Sequence, residues 1–384
     1  MLSLPKLCGV LFFGFYLFHY GPLSGKAFPP LSRATFWFAW YIIVFLLNGL
    51  FVDELFRNEF VVRAVTVIQL VIFFWIASDL LQNDVLTTKV LLSYLGGTIV
   101  IAVGAIFQLP GFNAELNVGR LSALGDNPNE TAGHMAVALI ILAGVYLYKP
   151  HKHLLSKLVL VIAGLPLMAL MVATGSRGGV AAFIAGASVY LIPYWPSKRM
   201  MSTIMLAVLA IAGVVFMVTS NPYFSERWEQ AYFEGSLSGR EEIFPNAIAM
   251  VEERPLFGWH PVNWFYELGQ RTGFPAGKDA HNLVLTLLLE LGIVGTIPFL
   301  IGFWLCGRSA WKARRGPLGL LPLALVFTVL AAGISGTTLT WKTQWLVLAL
   351  SLAAASLPNS VHETWRDLRW GRGRAIVNPR SRPY

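Results

Sequence analysis

The sequence predicts an all-α, polytopic membrane protein of about 11–12 transmembrane helices with one helical subdomain on its outer side. Three observations predict it. Hydrophobic residues make up 56% of the chain and charged residues only 13%, where a soluble domain carries about a quarter charged. Apolar stretches long enough to cross a bilayer recur along nearly the whole chain. No period of 20 to 50 residues repeats and no two halves match, which argues against a solenoid and against the doubled architecture of many transporters. The net charge of +9 would suggest nucleic acid in a soluble protein. Here the arginines sit in short loops and at the C-terminus, where membrane topology accounts for them, so nucleic acid is not an expected partner. Cys8 and Cys306 both fall in apolar spans, so a disulfide framework is not expected either.

The spans, in order, are expected near residues 4–20, 35–52, 60–81, 87–107, 132–148, 154–174, 178–194, 200–219, 282–306, 317–334 and 341–357. The first resembles a signal peptide, with Lys6 before its apolar run, but no small-residue cleavage site follows, and it reads as a retained helix. When the spans alternate, Lys26 and Arg33, then Lys149, Lys152 and Lys157, Lys198 and Arg199, Arg308 to Arg315, and the arginine-rich tail share one side. That side is the cytoplasm. The links 53–59, 108–131, 174–178, 220–280 and 335–342 then face outward. Four regions follow: N-terminal transmembrane helices over 1–219, an outward-facing subdomain over 220–280, C-terminal transmembrane helices over 281–357, and a basic cytoplasmic tail over 358–384. The tail suits attraction to anionic membrane lipid.

The outward links carry the chemistry. In 108–131, Asn127-Pro128-Asn129 is turn-forming, and Asn129 or Thr131 is placed to cap the next helix. Arg120 is either a phosphate or sugar contact or a solvated loop arginine, and His134 reads as a hydrogen-bonded interfacial histidine before it reads as a catalyst. Thr174-Gly175-Ser176-Arg177-Gly178-Gly179 sets an arginine among small residues at a helix start, which suits an anion. The plainer reading is a tight hairpin whose glycines permit helix packing and whose arginine snorkels. The segment 220–280 is rich in aromatics, among them Tyr223, Phe224, Trp228, Tyr232, Phe233, Trp259 and Trp264, which suit a lipid interface or stacking on sugars. Within it Ser238 reads as a helix cap with Glu241 at the third position, and Arg240 in the first turn opposes the helix dipole unless an anion or carboxylate is near. His281 and Asn282 are expected in the first turn of a membrane helix at the water boundary. Glu290 lies nine residues on, about 13 Å deeper and on the opposite face of an ideal helix, and is expected to bond a neighbouring helix.

The run His281-Asn282-x-x-Leu-x-x-x-x-Glu290-x-Gly292-x-x-Gly295 resembles the core motif of the bacterial O-antigen ligase and polymerase family. Arg120 followed by Gly125-x-Asn127-Pro128-Asn129, then Ser176-Arg177-Gly178, Gly239-Arg240 and Pro255-Leu256-Phe257-Gly258-Trp259 resemble further motifs of that family in its order. The likeness runs from about Gly119 to Gly295 and is greatest to the ligase branch. It implies a transferase that takes a glycan from undecaprenyl pyrophosphate and passes it, at the periplasmic face of the inner membrane, to a lipid A-core hydroxyl. A polymerase would pass it to a growing glycan, and a lipid or polysaccharide transporter is the alternative of another class. His281 is then the expected base, and Arg177 and Arg240, with Arg120, the expected pyrophosphate ligands. Asn282, Asn127, Asn129 and His134 are expected in support. No cofactor or metal is expected: the chain has no His-Glu-x-x-His, Cys-x-x-Cys, Walker loop or Asp-x-Asp.

Overall fold

The computed structural model describes residues 4–25, 27–112, 115–117, 120–148, 154–192 and 239–357. The expected span 200–219, Ser238, the aromatics from Tyr223 to Phe233 and the basic tail 358–384 lie outside the described residues. The described elements are α1 (Leu4–His19), α2 (Arg33–Asn48), α3 (Arg57–Leu80), α4 (Asp84–Ile106), α5 (Pro128–Tyr148), α6 (Leu154–Ala173), α7 (Arg177–Val189), α8 (Arg240–Glu253), α9 (Asn263–Arg271), α10 (Leu283–Lys312), α11 (Leu321–Ser335) and α12 (Lys342–Ala353). One short antiparallel pair, β1 (Glu115–Asn117) and β2 (Arg120–Ser122), stands in the link before α5, where the sequence shows no strand signal. By length and hydropathy, the stretches Arg33–Phe51, Glu54–Leu80, Asp84–Ile106, Pro128–Tyr148 and Leu283–Arg315 can cross a membrane, and the architecture is all-α and polytopic.

Helix α5 is apolar all round and buried on nearly every side, as a helix at the centre of a bundle must be. It packs against α4, α6, α7 and α11. Small residues set the spacing: a Cβ on Gly179 would stand 2.3 Å from that of Ala132, and one on Gly186 would stand 2.0 Å from Thr328 Oγ1. Close backbone approach of this kind is how helices associate where lipid offers no hydrophobic drive. A second seam joins α2, α3, α10 and α12 through Phe38, Phe74, Phe299 and Trp345, whose rings meet edge to face at 5.0–6.1 Å.

Helix α10 is broken at Gly292, whose φ of 59° and ψ of −161° suit only a residue without a side chain. The break leaves backbone groups of the two halves without helical partners, and the segment after α8 supplies them. Ile293 N–H donates to Pro255 O at 2.8 Å, Val294 N–H donates to Leu256 O at 3.1 Å, and Leu289 O accepts from Trp259 N–H at 2.7 Å. Glycines face each other across this joint: a Cβ on Gly292 would lie 2.3 Å from Leu256 C, and one on Gly258 would lie 2.6 Å from Leu289 O. Just above the break Glu290, fully buried, meets Arg63 Nε of α3 at 2.8 Å and accepts from Tyr41 Oη of α2 at 3.4 Å. The expected bond to a neighbouring helix is therefore present, and its main partner, Arg63, is one the sequence reading does not single out.

Helices α8 and α9 close a small core of their own. Ile243, Ala247 and Met250, one stripe of α8, pack with Trp264 and Leu268 of α9 and with Leu289 of α10. This unit is fastened to the link between α2 and α3 and to the first turn of α3. Asn263 Nδ2 donates to Asp53 at 3.0 Å, Tyr266 Oη donates to Glu59 at 2.7 Å, and the rings of Tyr266 and Phe56 stack at 4.1 Å. Arg120 Nε donates to Thr174 O, Ser176 Oγ to Asn129 Oδ1 and Arg240 Nη2 to Ser335 O, so all five links expected on one side meet at one end of the bundle.

Two outcomes follow from this packing. Gly292→Ala places a side chain both in forbidden φ/ψ space and against Leu256, and is expected to destabilise by about 3 kcal/mol or more, read as a lower midpoint of thermal unfolding in detergent. Glu290→Ala leaves the Arg63 guanidinium without its carboxylate and is expected to cost about 3 kcal/mol in the same measurement, most of it recovered by adding Arg63→Met.

Candidate active site

The end of the bundle where the links meet contains a cleft of about 70 Å³, lined among others by Asn127, Asn129, Glu130, Asp279, His281 and Trp341. Among the described residues, α5, α7, α8, α10 and α12 all begin at this end. Their positive helix termini share one region, which favours negative charge there.

His281 stands outside α10, in the left-handed region at φ 49°, with Asn282 as the cap that follows it. The expectation of a first-turn histidine is corrected here, because Asn282 Oδ1 accepts from the N–H groups of Val284 and Leu285 and so fixes the helix start after His281. The ideal-helix separation of His281 from Glu290 lapses with it, and the Arg63 and Tyr41 bonds of Glu290 take its place. Asn282 Nδ2 donates to Ile334 O at 3.1 Å, so its side chain joins α10 to the end of α11. Asp279 holds the turn: its Oδ1 accepts from His281 N–H at 2.7 Å and from Thr337 Oγ1 at 2.5 Å. Burial is the main reason the His281 imidazole lies below its ordinary pKa. Asp279 opposes that shift, and the Arg240 and Lys278 charges add to it.

Arg177 is the first residue of α7. Ser176 caps that helix by accepting from Gly179 N–H at 3.1 Å, and Ser176 Oγ also donates to Asn129 Oδ1 at 2.9 Å. Arg240 is the first residue of α8. Gly239 at φ 82° holds the cap position expected for Ser238, which moves the third helical position from Glu241 to Glu242. Arg240 Nη2 donates at 2.5 Å to the carbonyl of Ser335 on the cleft wall. Its pKa is lowered by burial first and by the Arg177 charge second.

The remaining expected residues have defined partners. Arg120 sits on β2, with Nε on Thr174 O at 2.9 Å and Nη2 on Asn129 Oδ1 at 2.9 Å. Asn127, rather than Asn129 or Thr131, caps α5: its Oδ1 accepts from Asn129 N–H and its carbonyl from Glu130 and Thr131. The reason is Pro128, which has no N–H and a fixed φ suited to the first helical position. His134 Nδ1 lies 3.2 Å from Tyr94 Oη and 3.0 Å from Thr343 Oγ1, with its ring stacked on Trp341. The sequence reading assigns no role to Glu130, Asp279, Thr337 or Trp341. Asp279 and Glu130 were within reach, since each adjoins a motif already singled out; Thr337 and Trp341 come from a link that carries no motif.

Comparison with known proteins gives two findings. The family profile described as O-antigen ligase matches residues 158–300, which take in Arg177, Arg240, His281 and the Gly292 joint and begin after Arg120, Asn127, Asn129 and His134. An O-antigen ligase of Pseudomonas aeruginosa is 28% identical over 184 residues, covering 46% of this chain and 42% of that protein's length. Both findings point the same way: across residues 158–300 this chain is similar to the O-antigen ligase family, and it spans less than half the length of the relative it matches.

Proposed function

We propose that this protein is a membrane glycosyltransferase of the O-antigen ligase type, moving a glycan from undecaprenyl pyrophosphate to a hydroxyl of a lipid A-core acceptor at the periplasmic face of the inner membrane. The observation that carries the reading is that Arg177 opens α7 and Arg240 opens α8 at the end of the bundle where several helix N-termini meet, beside the cleft that His281 lines. Guanidiniums at the positive ends of helices suit an anion, and the diphosphate of a lipid-linked glycan is such an anion. Arginine suits it through its planar fork and permanent charge.

In this reading His281 takes the proton of the acceptor hydroxyl. The acceptor oxygen forms its bond to the anomeric carbon as the bond from that carbon to the phosphate oxygen breaks, and undecaprenyl pyrophosphate leaves with the electron pair. Arg177 and Arg240 stabilise the charge gathered on the leaving diphosphate. Arg120 acts behind them by fixing Thr174 and Asn129, the supports of the turn before Arg177. A glycan diphosphate is already activated, so the scheme uses neither ATP nor a metal. The outward placing is supported by the meeting of all five links at this end, while Arg308, Lys312, Arg314 and Arg315 lie toward the opposite end of α10.

The test is transfer by purified protein from undecaprenyl-pyrophosphate-linked oligosaccharide to rough lipopolysaccharide in detergent. Core-linked product supports the ligase, longer donor-linked chains would identify a polymerase, and no transfer to either acceptor would overturn the reading. His281→Ala is expected to lower kcat by about 10²- to 10⁴-fold; unchanged turnover would remove the base. Because the buried imidazole titrates below 6.5, it stays neutral to lower pH than an exposed histidine. The acid limb of kcat/KM is therefore expected below pH 6.5, with the rate falling as the imidazole is protonated. A limb above 6.5 would count against His281 as the base.

A further inference from the structure

The cleft and the arginines are not the same place. Neither Arg177 nor Arg240 lines the cleft, though Arg240 bonds the Ser335 carbonyl on its rim, and the cleft wall carries Glu130, Asp279, Asn127 and Asn129. Inside the cleft these two carboxylates offset the helix termini and make its wall a poor host for a phosphate. It matches instead a ligand that offers several O–H donors. A helix dipole accounts for Glu130 in the first turn of α5, but not for the second carboxylate opposite, which belongs to the turn before α10 and whose charge Glu130 feels.

Three further features complete a surface for a sugar. Trp341 is 8% exposed and lines the cleft, and its indole N–H faces the Glu130 carboxyl without closing a well-formed hydrogen bond. The His134 imidazole stacks on the Trp341 ring, and Gly133 lets the backbone of α5 approach the ring edge, since a Cβ there would stand 2.1 Å away. Asp279 is oriented by a chain of hydroxyls: Thr337 donates to its Oδ1, and Thr286 lies 3.1 Å from Thr337. An oriented acid, an indole and two amides around a small cavity are the groups that bind pyranose hydroxyls.

We infer that this cleft is the subsite of the acceptor sugar, with Glu130 and Asp279 accepting hydrogen bonds from its hydroxyls and Trp341 shaping its wall, while the activated donor lies on the arginine side of His281. The inference rests on the transferase reading and deepens it, since it divides the site into a hydroxyl half and a phosphate half with the imidazole between them.

Separate titration of the two substrates tests the division. Glu130→Gln and Asp279→Asn keep an acceptor oxygen and the local turns, and Trp341→Phe keeps an aromatic ring. With rough lipopolysaccharide varied at saturating donor, Glu130→Gln and Asp279→Asn are each expected to raise the acceptor KM about tenfold, with the donor KM within twofold of wild type. Trp341→Phe is expected to raise the acceptor KM by less. Retained binding of the lipid-linked donor, followed by native mass spectrometry, separates a folded variant from a collapsed one. Equal shifts in both KM values, a shift in the donor alone, no shift at all, or collapse of all three variants would overturn the acceptor subsite while leaving the transferase intact. A wild type that transfers to no hydroxyl acceptor would overturn the transferase and the subsite together.

Discussion

Three backbone hydrogen bonds at the Gly292 break of α10 hold the site end of this molecule in register. In an unbroken helix Ile293 N–H would donate to Leu289 O and Val294 N–H to Glu290 O. Here Pro255 and Leu256 offer the carbonyls, and Trp259 N–H takes the oxygen left on Leu289. Unsatisfied backbone groups cost several kcal/mol where water is scarce, so a broken membrane helix persists only when something fills it. In this protein the filler is the segment that ends α8. The break thereby fixes the position of a helix whose other end carries Arg240.

The geometry that follows is simple. Helix α8 and the first half of α10 both run from the cleft toward the joint, and they share the Ile243, Ala247, Met250 and Leu289 core. Arg240 stands about 20 Å from the end of α8, and His281 about 16 Å from Gly292, by helical rise. Two parallel rods rooted at one point bring their first residues to similar height. Arg63 and Tyr41 bind Glu290 just above the joint and tie the same point to α3 and α2. Asn263 and Tyr266 brace the other flank at Asp53 and Glu59. The cleft is thus positioned by contacts well away from its own wall.

Much of this was legible in the sequence, for a physical reason. Hydropathy over some twenty residues is a strong signal, and the apolar stretches recover each described membrane helix to within a few residues at most ends. The motif residues were legible as well, because Gly258, Gly292 and Glu290 are chemically conspicuous in their surroundings. Their joint action was not. Nothing in one chain's order says that Pro255-Leu256-Phe257-Gly258-Trp259 fits the break in Glu290-x-Gly292, since that pairing is a long-range backbone fit between two segments that each read as local. Helix starts were misjudged by a residue or two where a cap competes with its neighbours, as Asn127 does with Asn129, because Pro128 decides the matter and propensity does not. Arg63 escaped notice because an arginine near the start of an apolar span reads as an interfacial charge until its partner is known. The polar wall of the cleft was the least legible part, since it draws on residues from α5, the turn before α10 and the link after α11.

A broken helix with a buried carboxylate is also what transporters use, and the way the break is filled separates the two uses. In a transporter the unwound backbone and the ionisable group face a cavity, where a substrate or ion takes the open hydrogen bonds and is released when one half moves. At Gly292 the open groups are taken by the protein's own chain, with glycine against glycine too close to admit even a methyl group. Glu290 is fully buried against Arg63 and Tyr41 rather than exposed to a path. Filling a break with backbone rigidifies it, and rigidity suits the proposed transferase, in which a base and a pair of cations are held at fixed separation from two substrates. The groups able to bind a ligand therefore lie above the joint, at the end of the bundle where the helices begin, and the joint serves by keeping them there.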